Sequence, residues 1–195
     1  QYSQIHVIFD HILSGAIDSL YADSTGYYFH TALPGIYNIK YFKDGWKPFK
    51  YYDQTLINDV VLDSVFLKEG YAVNVEGAIS GSWTNENDYY VNGDIEIPAG
   101  QTLTIGPGTN IYFQGEYDFH AHGKLIALGD SSNHIIMTAE NPNAGAGFWG
   151  EPHLHAPGNE LRYVEISKAT NGIGAHVGSL DNSIFYHCKI SDILH

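Results

Sequence analysis

The chain has 195 residues, 44% of them apolar and 14% aromatic, enough to bury the core of one or two domains and too many for a disordered polymer. Its 22 acidic and 9 basic residues leave a formal net charge of -13, which argues against binding a nucleic-acid backbone, because that needs Lys and Arg to displace counterions. One cysteine, Cys188, rules out an internal disulfide and a cysteine-based zinc centre, and no apolar run approaches the ~20 residues of a membrane span.

From the start of the chain, Ile5-His6-Val7-Ile8-Phe9 alternates and Ser14-Gly15-Ala16-Ile17 follows. Asp23-Ser24-Thr25-Gly26 then makes a turn before Tyr27-Tyr28-Phe29-His30, and Leu33-Pro34-Gly35 makes another before Ile36 to Tyr41. Punctuation at this spacing predicts a small antiparallel β-sandwich, with Asp59 to Leu67 as its last strand. The segments Gly15-Ala16-Ile17, Ala22-Asp23-Ser24-Thr25-Gly26-Tyr27, Pro34-Gly35-Ile36-Tyr37 and Asp44-Gly45-Trp46 resemble the carboxypeptidase regulatory-like module. The resemblance covers Ile5 to Leu67 and implies a transthyretin-like, non-catalytic spacer or stabiliser. No zinc-peptidase signature follows, so it implies no peptidase chemistry.

Lys68-Glu69-Gly70 reads as the junction, giving a sandwich over 1–69 and a second domain over 70–195 that opens on Tyr71 to Val75. Beyond it, short alternating segments (Asp94 to Ile97, Thr102 to Ile105, Asn110 to Phe113, Lys124 to Leu128, His134 to Thr138) are separated by Gly, Pro and Asn turns. Strands so short and evenly spaced predict the rungs of a β-solenoid. The order Trp83, Tyr89, Ile95-Glu96-Ile97-Pro98, Thr102-Leu103-Thr104-Ile105, Pro107-Gly108-Thr109, Gly123-Lys124-Leu125 and Trp149-Gly150 resembles the start of a right-handed parallel β-helix of large secreted bacterial surface proteins. The expected fold class is therefore all-β: a small antiparallel β-sandwich plus a right-handed parallel β-helix of about three to four coils.

Three strands per coil place Ile95 to Ile97, Leu103 to Ile105 and Ile111 to Phe113 in the first coil. The second holds Phe119 to His122, Leu125 to Leu128 and Ile135 to Thr138; the third, Trp149 to His155, Leu161 to Ile166 and Gly172 to Val177, before a partial fourth from Asp181 to Ile190. The Gly- and Asn-rich Glu140 to Gly147 is a loop-out. With Ile95, Ile97, Phe119, Ala121, Pro152 and Leu154 inward, alternation turns Asp94, Glu96, Asp118, His120, His122, Glu151, His153 and His155 outward on one face.

Two His-x-His pairs on adjacent rungs carry the sharpest chemistry in the sequence. Strands ~4.8 Å apart and i,i+2 positions ~6.5–7 Å apart let imidazoles converge on one ion. Candidate ligands are His120, His122, His153 and His155, with Asp118 and Glu96 completing the shell of a divalent metal, Zn or Ca. The same pattern also fits a solvated polar face. Trp46, Tyr89 and Tyr90 are candidate sugar-stacking residues for a surface polysaccharide. Arg162 is the only arginine available to a polysaccharide lyase and reads as an outward strand residue beside Glu160 or Glu165; no pair of carboxylates stands out for a glycosidase. Cys188, inside an alternating run, reads as a small packed hydrophobe.

No signal peptide is visible at Gln1, and a mature secreted chain would have lost one. Abundant Tyr, Gly, Asn and Thr fits a secreted protein of a bacterial cell surface. The chain stops at Ile193-Leu194-His195 without a polar cap, which predicts continuation in a longer protein or a homo-oligomer or filament assembled through open ends. The expected role is non-catalytic, structural or adhesive; a carbohydrate-binding or carbohydrate-active β-helix and a His-rich metal-binding surface protein are the alternatives.

Overall fold

In the computed structural model, which describes residues 4–176, 178 and 180–194, every regular element is a β-strand. The architecture is all-β, with antiparallel and parallel sheets, one of them strongly curled. Among the described residues no helix is long and apolar enough to cross a membrane. The chain divides into two compact units, one ending at Tyr71 and the other starting at Ala72.

In the first unit, β1 (His6–His11), β2 (Ile17–Tyr21), β3 (Gly35–Phe42) and β4 (Phe49–Leu56) form an antiparallel sheet in the order β2-β1-β3-β4. Alternation buries Val7, Phe9, Tyr37, Ile39 and Tyr41 on one face. The turn at Asp23 forms because its Oδ1 accepts from the Thr25 and Tyr27 amides and the Thr25 hydroxyl, bonds that hold its carboxyl below the usual range. The expected last strand, Asp59 to Leu67, is not formed. Its packed residues, Leu62, Val65 and Leu67, are spaced by three and then two, while Val61 and Phe66 are 97% and 87% exposed, so no period-two face exists to pair. Tyr27 to His30 likewise joins no ladder, although the Tyr28 hydroxyl bonds that of Tyr41 at 2.7 Å.

The second unit runs through β5 (Tyr71–Ala78), β6 (Gly81–Trp83), β7 (Asn87–Ile97), β8 (Thr102–Ile105), β9 (Asn110–Phe113), β10 (Phe119–Ala121), β11 (Lys124–Leu128) and β12 (Ile135–Ala139). It continues through β13 (Pro152–Leu154), β14 (Glu160–Arg162), β15 (Val164–Ser167), β16 (Gly174–Ala175), β17 (Ile184–Tyr186) and β18 (Lys189–Ser191). From β6 onward its strands stack in parallel ladders, and β5 pairs with β7 off that path. The first joins the end of β7 to β10, β13 and β16; the second is β6-β8-β11-β14-β17; the third joins the start of β7 to β9, β12, β15 and β18. Because β7 pairs with β9 through Asp88 to Val91 and with β10 through Ile95 to Ile97, the first and third ladders form one continuous sheet.

Inward residues stack on like residues. Ile97, Ala121 and Leu154 lie in one register column, Ile105, Ala127 and Leu161 in another, and Ile111, Met137 and Ile166 in a third, all fully buried. Trp149 returns from the Gly-rich loop, lies flat on Phe113 with ring centroids 3.7 Å apart, and donates from Nε1 to the Ser167 carbonyl. Asn159, fully buried at a corner, ties neighbouring rungs: Oδ1 accepts from the Leu125 amide at 2.8 Å, Nδ2 donates to the Ala156 carbonyl, and its own amide donates to Ser183 Oγ.

The third coil differs from the expectation. Leu161 to Ile166 is not one strand, because Tyr163 takes a left-handed φ of 49° and divides β14 from β15, which belong to different ladders. One rung on, His187 makes the same corner at φ 50° and its ring stacks on Tyr163. Gly174–Ala175 therefore pairs with β13 and opens the next rung rather than ending the third; Val177 lies outside the described residues.

Asn159→Ala removes the acceptor for a buried amide and the donor for a carbonyl, and is expected to lower the unfolding free energy by about 1–3 kcal/mol. Urea denaturation followed by tryptophan fluorescence checks it; an unchanged midpoint contradicts the corner's role.

Candidate metal centre

The first ladder aims alternate side chains of β10 and β13 into the core, where Phe119, Ala121 and Leu154 are fully buried. Period-two alternation therefore turns His120, His122, His153 and His155 to the other face. Register sets His120 beside His153, and two residues on His122 stacks on His155. β16 continues the column with Gly174 beside His153 and Ala175 beside Leu154, which brings His176 next to His155.

The outcome is a histidine ladder. His122 and His155 stack with centroids 4.2 Å apart, and His155 and His176 at 4.4 Å, each pair 25° from parallel. His120 lies 5.4 Å from both His153 and His155, and its Nδ1 shares a hydrogen bond with His155 Nε2 at 3.2 Å. Two sets, His120/His122/His155 and His153/His155/His176, each bring one ligand atom per residue within 4.8 Å of the others. Burial disfavours charge on His155 and lowers its pKa, with repulsion from His122, His176, His120 and His153 adding to the effect. A neutral ring keeps the nitrogen lone pair a metal requires.

Carboxylates sit at the rim. Asp118 Oδ2 is 4.0 Å from His120 Nε2, and Glu96, exposed, pairs in register with His120. Glu151, only 7% exposed, takes a supporting position: its Oε1 lies 3.0 Å from His153 Nε2, and its Oε2 accepts from the backbone and side-chain nitrogens of Asn171. Since a carboxylate only accepts, it favours the His153 tautomer protonated on Nε2, in which Nδ1 is the donor atom for a metal. Gly174 makes room for that ring, because a Cβ there would stand 2.6 Å from His153 Nδ1.

The structure thus brings together His120, His122, His153 and His155, with Asp118 at their edge and Glu96 on the same face. Sequence reasoning missed His176, having placed Gly172 to Val177 in a different ladder. The missed signal was Tyr163, a corner without Gly or Asn.

The sugar-stacking expectation is corrected at Tyr89 and Tyr90. Tyr89 is 5% exposed with its ring flat on Trp83 at 4.3 Å, and Tyr90 is 7% exposed against Tyr112. Burial pushes the Tyr90 phenol above its usual range and that of Tyr112 up to about 12. Neither ring offers a face to a sugar. Trp46 is half-buried, with the Lys43 ammonium 4.5 Å from its ring centroid. Arg162 pairs with Glu160 and lies 6.0 Å from the Tyr186 ring centroid, and Cys188 packs partly buried against the core. Elsewhere His134 bonds Glu165 at 2.7 Å and holds that carboxyl below its usual range, with the Lys189 ammonium 3.5 Å from its other oxygen.

Compared with family models, curated proteins and solved structures, the chain matches none.

Glu151→Ala leaves His153 and Asn171 without their shared acceptor. The expected cost is about 1–3 kcal/mol in urea unfolding, with His153 losing its preference for the Nε2-protonated tautomer in nitrogen-detected NMR. An unchanged tautomer contradicts the assignment of Nδ1 as the free donor.

Proposed function

We propose that this chain is a secreted, non-catalytic structural or adhesive protein of a cell surface, whose histidine ladder binds a divalent transition metal. The observation that carries the metal reading is the presence of two three-histidine sets with ligand atoms within 4.8 Å of one another. Imidazole nitrogen suits Zn, Cu or Ni; Ca takes oxygen ligands, so among the ions considered the donor set favours a transition metal. An ion held by rings of successive strands ties those rungs together, a stabilising rather than a chemical role.

Two features support a right-handed parallel β-helix as the scaffold. The strands visit the three ladders in constant order, β7-β8-β9 and then β10-β11-β12, β13-β14-β15 and β16-β17-β18, and crossovers between parallel strands are right-handed in ~98% of cases. The first unit, with its Asp23 turn and four-stranded antiparallel sheet, is read as a carboxypeptidase regulatory-like module serving as a spacer.

Calorimetric titration of the full chain with Zn(II) at neutral pH is expected to give saturable heat. The double variant His120→Ala, His155→Ala is expected to lose at least about tenfold in affinity, and Ca(II) to give no heat. Because protons compete for the same nitrogens, binding is expected to weaken as the solution is acidified. Absence of heat with Zn(II), Cu(II) and Ni(II) alike overturns the reading.

A further inference from the structure

Resting on that metal reading, a sharper one follows from the residue the two sets share. We propose that the ladder takes two ions, one held by His120, His122 and His155 and the other by His153, His155 and His176, with the His155 imidazole bridging them through its two ring nitrogens.

His155 is the middle ring of the stack, 4.2 Å from His122 on one side and 4.4 Å from His176 on the other. It is the one histidine common to both sets. An imidazole has two nitrogens on different sides of the ring, each able to bind a metal. The structure orients the first of them: His155 Nε2 is 3.2 Å from His120 Nδ1, a spacing suited to two ligands of one ion. That leaves His155 Nδ1 for the second set. His153 is prepared for the same ion, since Glu151 engages its Nε2 and its Nδ1 lies beside Gly174, on the side of the rung that carries His176.

Charge is the chief objection, and the surroundings answer it. Binding of the first ion to Nε2 leaves a proton on Nδ1; binding of the second forms a metal–Nδ1 bond and releases that proton to solvent, so the bridge becomes an imidazolate with one negative charge. Glu96, Asp118 and Glu151 border the ladder and supply three more. Two divalent ions are then balanced by four negative charges, within a chain whose formal net charge is -13.

Titration of the full chain with Cu(II), followed by stoichiometry and electron paramagnetic resonance, tests the bridge. Two Cu(II) per chain are expected: the first equivalent gives an isolated-copper signal, and the second removes most of it as the ions couple through His155. His176 is exposed, so His176→Ala should keep its fold by circular dichroism while binding one Cu(II) and retaining the isolated signal. Two ions with a doubled signal would show independent sites and overturn the bridge. A single ion in the wild type overturns the bridge and leaves the metal reading standing, whereas no bound ion overturns both.

Discussion

In-register stacking of parallel strands is the constraint on which the rest of the second unit depends. Each rung adds its residues opposite their counterparts, so an inward Ile97 selects an inward Ala121 and Leu154, and the outward positions between them follow. A slip of one residue would turn every side chain of that strand to the other face and drive histidines into the core. The burial of Phe119, Ala121, Pro152 and Leu154 is therefore what holds His120 and His153 side by side. The site is a by-product of core register, made specific by the identities of its outward residues.

That dependence explains how much was legible in the sequence. The face carrying His120, His122, His153 and His155 could be read because its inward partners are apolar and strictly alternating, and the turns between these strands are rich in Gly and Pro. Reading failed where corners use ordinary residues. Tyr163 and His187 adopt left-handed backbone with bulky side chains, a conformation uncommon outside Gly, Asn and Asp, and without that corner the third coil was threaded incorrectly and His176 was lost from the ladder. In the first unit the apolar run Asp59 to Leu67 looked like a strand by composition, but its inward residues lack period two. Tyr89 and Tyr90 show the converse limit: adjacent aromatics on one strand read as exposed stacking faces, yet Trp83 and Tyr112 cover them.

The ladder also has an energetic logic. Five imidazoles on neighbouring rungs repel one another when protonated, and the burial of His155 adds to that penalty, so the neutral form is favoured at its centre. Glu151, 3.0 Å from His153 Nε2, favours one tautomer of that ring, as carboxylates that orient metal-binding histidines do. A merely solvated polar face would need neither a nearly buried carboxylate behind one ring nor a glycine clearing space beside it.

Anomalous diffraction at the zinc edge, on crystals of the full chain grown with Zn(II), locates the ion. An anomalous peak is expected among His120, His122 and His155, within ligand distance of their ring nitrogens. Full zinc occupancy elsewhere, for example at His134 and Glu165, with no peak in the ladder, would contradict the ladder as the ion's site.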